Sequence, residues 1–218
     1  MCFNGTDNFP DNRIIKYCES IGVKFGQNLN AYTSTDETVY NIDNVPVTPS
    51  NVDSCLLILR DWADGLTLAP SEIDKERGVI HEEWRLRSSA TMRIFERNLP
   101  TLYPGSRYAY RFPIGTMEVV DNFPYQALRD YYEKWYRPDQ QGIVVVGDIN
   151  VDSIEVKIKK LFSPIEMPAN AAERKYFPVP DNDEPIITVA KDKEQQVPIV
   201  YLFHKHDVVP NDQKNNMG

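Results

Sequence analysis

The sequence has few of the residues on which several protein classes depend. Its 218 residues include only three cysteines and three histidines. Cys2, Cys18 and Cys55 form no C-x-x-C pair, so they predict neither a disulfide framework nor a zinc ribbon. Free cysteine is among the most buried residue types, and we therefore expect buried, unpaired thiols.

Two further absences narrow the class of partner. The formal net charge is -8, and no cluster of lysine and arginine forms a basic stripe, so we expect no nucleic-acid partner. No apolar run approaches the roughly 18 residues that a helix needs to cross a bilayer, so we expect no membrane-spanning segment. The chain does have 41% hydrophobic residues, which is enough for one sizeable core.

The order of the predicted elements indicates an α+β fold. Apolar spacing and end signals predict helices over residues 10–22, 50–66, 71–87, 122–136 and 151–162. Residues 29–43 predict one strand or a hairpin, and further strands are predicted over 142–149, 185–190 and 197–203. Because helices and strands do not alternate strictly, the pattern favours α+β over a doubly wound parallel sheet. We predict one domain, with a proline-rich connection over 163–185 followed by closing strands and a tail over 186–218.

Two carboxylates share one face of the predicted helix 71–87. Glu76 and Glu83 are seven residues apart, which is about 20° short of two full turns. Ile73 and Ile80 lie on the same stripe, so this face is expected to pack inward, whereas Glu82 points away from it. Carboxylates on an apolar stripe are costly unless they are paired, protonated or bound to a metal.

Spacing alone also allows a second interpretation of this helix. The carboxylates could belong to a solvated, salt-bridged surface, because runs of charge on helices are usually solvated faces. Lys75, Arg77, Arg85 and Arg87 would then be their partners.

Five stretches, taken together and in this order, resemble a known family. They are "MCFNGTDNFP", "GVKFGQNLNAYTSTDETVY", "EIDKERGVIHEEW", "YPGSRYAYRFPIGT" and "YYEKWYRPDQQGIVVVGDI". They are similar to the first domain of the pitrilysin-type zinc peptidases, the family of insulin-degrading enzyme and mitochondrial processing peptidase, and to the bacterial, periplasmic-type members in particular. The resemblance covers nearly the whole chain. It implies an antiparallel-dominated sheet with helices on one face and, by analogy, a periplasmic or cell-envelope location.

The resemblance also implies roles for the two carboxylates. In this family, two histidines of an H-x-x-E-H helix and a glutamate on a later helix bind zinc, and the metal activates a water for peptide-bond hydrolysis. The later helix carries an E-x6-E pattern that maps onto Glu76 and Glu83. Glu83 would be the third zinc ligand, and Glu76 would support a ligand histidine or the ligand helix. Glu82 is a less favoured candidate for the ligand.

The chain departs from the family at its start. It contains no H-x-x-E-H, and its histidines are His81, His204 and His206. In relatives, the segment similar to "MCFNGT" directly follows that motif, so we expect an N-terminally truncated domain. The resemblance therefore implies zinc in the complete enzyme, but neither bound zinc nor peptidase activity in this chain alone. The alternative is a non-catalytic peptide-binding or scaffold subunit of the same family.

The stretch "LNAYTS" is similar to the substrate-binding edge strand of the family. The resemblance implies that Asn30, Ala31 and Tyr32 line a cleft, where an exposed edge pairs with the main chain of an extended peptide. An ordinary interior strand is the alternative. Active family members close two similar halves around the substrate, which implies a second homologous half or a partner chain.

Overall fold

The computed structural model describes residues 1–206, which fall into two compact units. The first unit comprises Met1–Glu83 and Pro113–Arg174, and the second comprises Trp84–Phe112 and the described residues from Lys175 onward. The helices are α1 (Arg13–Ser20), α2 (Pro49–Asp64), α3 (Pro70–Arg87), α4 (Ala90–Leu102), α5 (Met117–Asn122), α6 (Tyr125–Trp135) and α7 (Val151–Phe162). The strands β1 (Leu29–Thr33) and β2 (Thr38–Ile42) form an antiparallel pair, so the α+β prediction is confirmed.

The core of the first unit forms where α1, α2 and β1 meet the N-terminal segment. Its buried residues are Cys2, Ile14, Cys18, Val23, Leu29, Ile58 and Trp62. In α1, Ile14 and Cys18 are four residues apart and therefore face the core together. The chain turns at Gly22, whose φ of +88° is accessible to glycine at little cost.

The predicted burial of the cysteines is confirmed for Cys2 and Cys18, whereas Cys55 is half-buried. Burial, with a smaller effect of the neighbouring Cys55, raises the pKa of Cys18 to about 12. Burial also raises the pKa of Cys55 to about 11. These groups are therefore protonated thiols at neutral pH.

Helix α3 shows the predicted stripe. Ile73 is buried, Glu76, Ile80 and Glu83 are half-buried, and Glu82 is exposed. Other charged residues of α3 form ion pairs within the helix, as the interpretation of a solvated, salt-bridged surface expects. Lys75 pairs with Glu72 at 2.6 Å, and Arg77 pairs with Asp74 at 3.3 Å.

Arg77 fixes α3 against the end of α5 and the residue that follows it. Its guanidinium donates to the carbonyl oxygen of Val120 and, at 2.7 Å, to that of Phe123. Its central carbon also lies 3.9 Å from the centre of the Phe123 ring, a distance at which a cation is attracted by the ring face.

In the second unit, one arginine of α4 holds the segment that follows residue 185. Arg93 donates to both carboxylate oxygens of Asp192, at 2.9 and 2.7 Å, and to Glu194 at 2.8 Å. Such a two-point pairing of arginine with a carboxylate fixes orientation as well as distance. It holds the pKa of Asp192 at about 2, well below its ordinary value.

The three additional predicted strands are wrong for the described residues. Segments 142–149, 185–190 and 197–203 form no strand. A strand needs a neighbouring backbone to complete its hydrogen bonds, and in residues 1–206 no strand or isolated bridge pairs with these segments. Val144 and Val146 are accordingly 83% and 90% exposed. The end of the predicted tail, residues 207–218, lies outside the described residues, and the single-domain division at 162 and 185 stays a prediction.

Candidate peptide edge and ligand helix

The hairpin gives the predicted peptide-binding strand one free edge within the described residues. The register pairs Leu29 with Ile42, and Thr33 with Thr38 at the turn. β2 is the only strand beside β1 in residues 1–206. Within the described residues, β1 is therefore an edge strand.

The hydrogen-bond pattern shows which backbone groups face that edge. Asp43 donates to the carbonyl of Asn28 at 2.8 Å, and Ser34 donates to that of Glu37 at 2.9 Å. Since hydrogen-bonded and non-hydrogen-bonded pairs alternate in antiparallel sheets, even-numbered residues of β1 bond to β2. The N–H and C=O groups of Ala31 and Thr33 therefore point away from β2.

The start of this edge is closed by the preceding turn. Leu29 donates to the carbonyl oxygen of Lys24 at 3.1 Å, and its own carbonyl accepts from Gly26 at 2.9 Å. The edge available for another strand thus begins at Ala31. Tyr32 lies on the opposite face of β1 from Ala31, where its hydroxyl donates to Glu37 at 3.2 Å.

Glu76 binds the N-terminal segment. One oxygen of its carboxylate accepts from the Met1 ammonium at 2.9 Å, and the other accepts from the side-chain amide of Asn4 at 3.4 Å. The Glu76 side chain is 28% exposed. The predicted supporting carboxylate therefore contacts the residues that begin the chain.

The end of α2 holds the same segment through a fully buried carboxylate, that of Asp61. One of its oxygens accepts from the Thr6 hydroxyl at 2.6 Å and the Asn8 backbone at 2.9 Å. The other accepts from the Asn8 side-chain amide at 2.7 Å. The indole of Trp62 donates to the carbonyl of Cys2 at 2.9 Å. Asp61 was not predicted from the sequence, because its partners Thr6 and Asn8 lie more than fifty positions away.

A hydrogen-bonded chain of one thiol and two partly buried hydroxyls connects this segment to the hairpin. The Cys2 thiol donates to the Tyr40 hydroxyl at 3.1 Å, and the hydroxyls of Tyr40 and Tyr136 lie 2.5 Å apart. Burial is the largest cause that raises the pKa of Tyr40 well above its usual range, and it raises the pKa of Tyr136 to about 12. The N-terminal segment thus binds both the helix that carries Glu76 and the strand that pairs with β1.

The described residues do not form a complete zinc site. A catalytic zinc usually has three protein ligands, and residues 1–206 bring no three histidine, cysteine, aspartate or glutamate side chains together in a way that could hold a metal. Glu83 has the predicted place on the stripe of α3. His81 follows Ile80 in α3 but does not belong to the stripe, and its ring nitrogen Nε2 lies 2.6 Å from a carboxylate oxygen of Asp121.

The comparisons with known proteins agree with these features. Residues 1–105 match the family model described as Insulinase (Peptidase family M16), and residues 122–217 match that of the Peptidase M16 inactive domain. The chain belongs to peptidase family M16. The resemblance found in the sequence is thereby confirmed.

Individual relatives are similar along most of this chain. The Probable zinc protease PqqL of Escherichia coli (strain K12) is 36% identical over 217 residues, which are 99% of this chain and 23% of the relative. Its namesake from Haemophilus influenzae is 35% identical over 163 residues, 75% of this chain and 18% of the relative. The chain therefore spans less than a quarter of these curated relatives.

A solved structure supports the same fold. The crystal structure of the first half of the periplasmic protease PqqL from Escherichia coli has a TM-score of 0.76 and 38% identity, covering 83% of this chain and 38% of that one. In residues 1–206, no helix is both long and apolar enough to cross a membrane.

Proposed function

We propose that this chain is a domain of a zinc-dependent metalloendopeptidase and that Glu83 contributes one ligand to its metal. The observation that carries this proposal is the half-buried stripe of α3, where Glu76 and Glu83 lie on the face of the buried Ile73. In a family of zinc peptidases, a carboxylate on such a face is well placed for a metal, because metal binding is one way to compensate a charge that is partly removed from water.

The remaining ligands and the general base would come from outside the described residues. When bound, zinc would polarise a peptide carbonyl and lower the pKa of a water. The described residues supply too few ligands for that chemistry, so we derive no catalytic step from them. We propose instead that the 218-residue chain alone does not hydrolyse peptides and that a further part of the protein, or a partner chain, completes the site.

Glu76 would position the metal-binding segment without binding the metal itself. Its carboxylate bonds with Met1 and Asn4, so it restrains the chain on one side of α3. Asp61 restrains the same segment from α2 through Thr6 and Asn8. Supporting contacts of this kind keep ligands oriented in metal sites.

The substrate would be a peptide in extended conformation. Ala31 and Thr33 turn their backbone groups away from β2, so a peptide can add as a third strand along β1. Main-chain hydrogen bonds would supply affinity with little sequence preference. Asn30 and Tyr32 would border the bound peptide. By analogy with the periplasmic relative from Escherichia coli, the proposed location is the periplasm.

A non-catalytic peptide-binding or scaffold subunit is the second candidate. It is favoured by the lack of a three-ligand group in residues 1–206, together with the free edge of β1. Under this alternative, the chain would bind peptides whether or not zinc is present, and Glu83 would have no metal to hold.

Zinc titration of the purified 218-residue chain tests the proposal. We expect no tight zinc binding in calorimetry and no cleavage of an unfolded protein such as casein. Stoichiometric zinc binding accompanied by cleavage would contradict the proposed incompleteness of the site. If the chain did bind zinc, the Glu83→Gln variant would be the matched control, because loss of the zinc in this variant would identify Glu83 as a ligand.

A further inference from the structure

The free edge of β1 is covered at one position by a side chain of its own strand. The side-chain oxygen of Asn30 accepts from the backbone N–H of Ala31 at 2.8 Å. The amide nitrogen of the same side chain donates to the carbonyl of Gly26 at 3.1 Å. Asn30 is exposed, so packing does not force it into this place, and two hydrogen bonds hold it there.

This contact involves the donor that a third strand would need first. The turn before β1 already satisfies both backbone groups of Leu29, so the accessible edge begins with the N–H of Ala31. Asn30 therefore satisfies the first edge-facing donor of β1. Asparagine side chains compete in this way with the backbone partners of regular structure.

We propose that the Asn30 side chain is a removable cap on the edge of β1, which an extended peptide must displace before it pairs with Ala31. This inference rests on the proposed peptide-binding function and adds a closed and an open state to it. In the closed state, the Asn30 side chain accepts from the N–H of Ala31. The edge then exposes fewer unpaired backbone groups, which also protects it from pairing with a second copy of the chain. In the open state, Ala31 and Thr33 form the two hydrogen-bonding positions of the peptide site.

Hydrogen exchange of the free chain tests the cap without any peptide. In the Asn30→Ala variant, the Ala31 amide should exchange about fivefold faster or more, because the side-chain oxygen that accepts its hydrogen bond is gone. The Tyr32 amide, which faces β2, should be unchanged. The Asn41→Ala variant is the matched control, since Asn41 is opposite Asn30 in the register and bonds to Asp43. Equal Ala31 exchange in the wild-type and Asn30→Ala chains would overturn the proposal.

Peptide titration then tests what the cap does. The probe is a labelled decapeptide of alternating threonine and valine with lysine ends, compared with the same peptide N-methylated at every residue between the lysine ends. Asn30→Ala should bind the unmethylated probe about two- to fivefold more tightly than the wild-type chain, because no internal hydrogen bond has to be broken. The methylated probe, which cannot pair, should show no such gain.

The two measurements separate failure of the cap from failure of the proposed function. Weaker binding of the probe by Asn30→Ala would overturn the cap and make Asn30 a direct peptide contact. If Ala31 exchanges faster in Asn30→Ala but neither the wild-type chain nor the variant binds the probe, the contact of Asn30 with Ala31 would be supported and peptide pairing at this edge would be refuted. Self-association of Asn30→Ala in sedimentation, with no gain for the probe, would overturn the peptide as the occupant of the edge.

Discussion

Replacement of Asp61 should be among the most destabilising single changes in the first unit. Its carboxylate is 0% exposed and accepts three hydrogen bonds, two at one oxygen and one at the other. A hydrogen bond to a charged group contributes about 1.5–3 kcal/mol, and buried donors left without acceptors cost more than the bond itself. Because the three bonds share one group and are not additive, we expect Asp61→Ala to lower the free energy of unfolding by about 3–5 kcal/mol.

The isosteric variant Asp61→Asn sharpens this prediction. Its side chain would keep one oxygen for Thr6 and the Asn8 backbone, but its new amide nitrogen would face the amide nitrogen of Asn8. Rotation of the Asn8 amide by half a turn would restore that third bond, so the expected cost is only about 1–2 kcal/mol.

Urea unfolding followed by tryptophan fluorescence measures both variants, since Trp62 is adjacent to Asp61 in α2. Asp64→Ala is the matched control on the same helix, because the Asp64 side chain is 50% exposed in its ion pair with Arg60. We expect that control to change stability by less than about 1 kcal/mol. A cost for Asp61→Ala equal to that of Asp64→Ala would refute the assigned role of the buried carboxylate.

Three further predictions concern the first unit. Arg77→Lys should lower stability by about 1–2 kcal/mol in the same urea assay, because lysine cannot donate to two carbonyls while it covers the Phe123 ring; an unchanged midpoint would contradict this. Burial raises the pKa of Tyr136 to about 12 from its ordinary 10, so its contribution to stability is complete below pH 10 and falls as pH rises towards 12. Phenolate absorbance of the folded chain should accordingly include a part that appears only well above pH 10, and titration of all tyrosines near pH 10 in the folded chain would contradict it. Cys18 and Cys55, with raised pKa values, should react with a thiol reagent at neutral pH far more slowly in the folded than in the urea-unfolded chain; equal rates would show that they are not protected.

The parts of the fold set by local periodicity could be predicted from the sequence. The stripe of Glu76 and Glu83 follows from helical geometry alone, and the structure shows both half-buried beside Ile73 and Ile80. Strand structure over residues 29–43, as one strand or a hairpin, was predictable from the β-branched and aromatic residues, and β1 and β2 form the hairpin. Both are local patterns, within which neighbouring residues decide the conformation.

Features that depend on distant residues could not be predicted. The run 142–149 has the composition of a buried strand, but composition does not supply a pairing partner, and no strand within the described residues pairs with it. The burial of Asp61 depends on Thr6 and Asn8, more than fifty positions away. Helix α4 was not predicted from the sequence. Its last turn contains Pro100, a residue that usually interrupts a helix. A proline that close to the C-terminal end removes one hydrogen bond without stopping the helix.

The zinc content of a chimera tests the role of Glu83 most directly. In this chimera, the present chain replaces the matching segment of the Escherichia coli relative, and bound metal is counted by mass spectrometry after dialysis. We predict one zinc per chain in the chimera and in its Glu82→Gln variant, and a loss of most of that zinc in Glu83→Gln. Full zinc in the Glu83→Gln chimera, or its loss in Glu82→Gln alone, would contradict the assignment of Glu83 as the ligand.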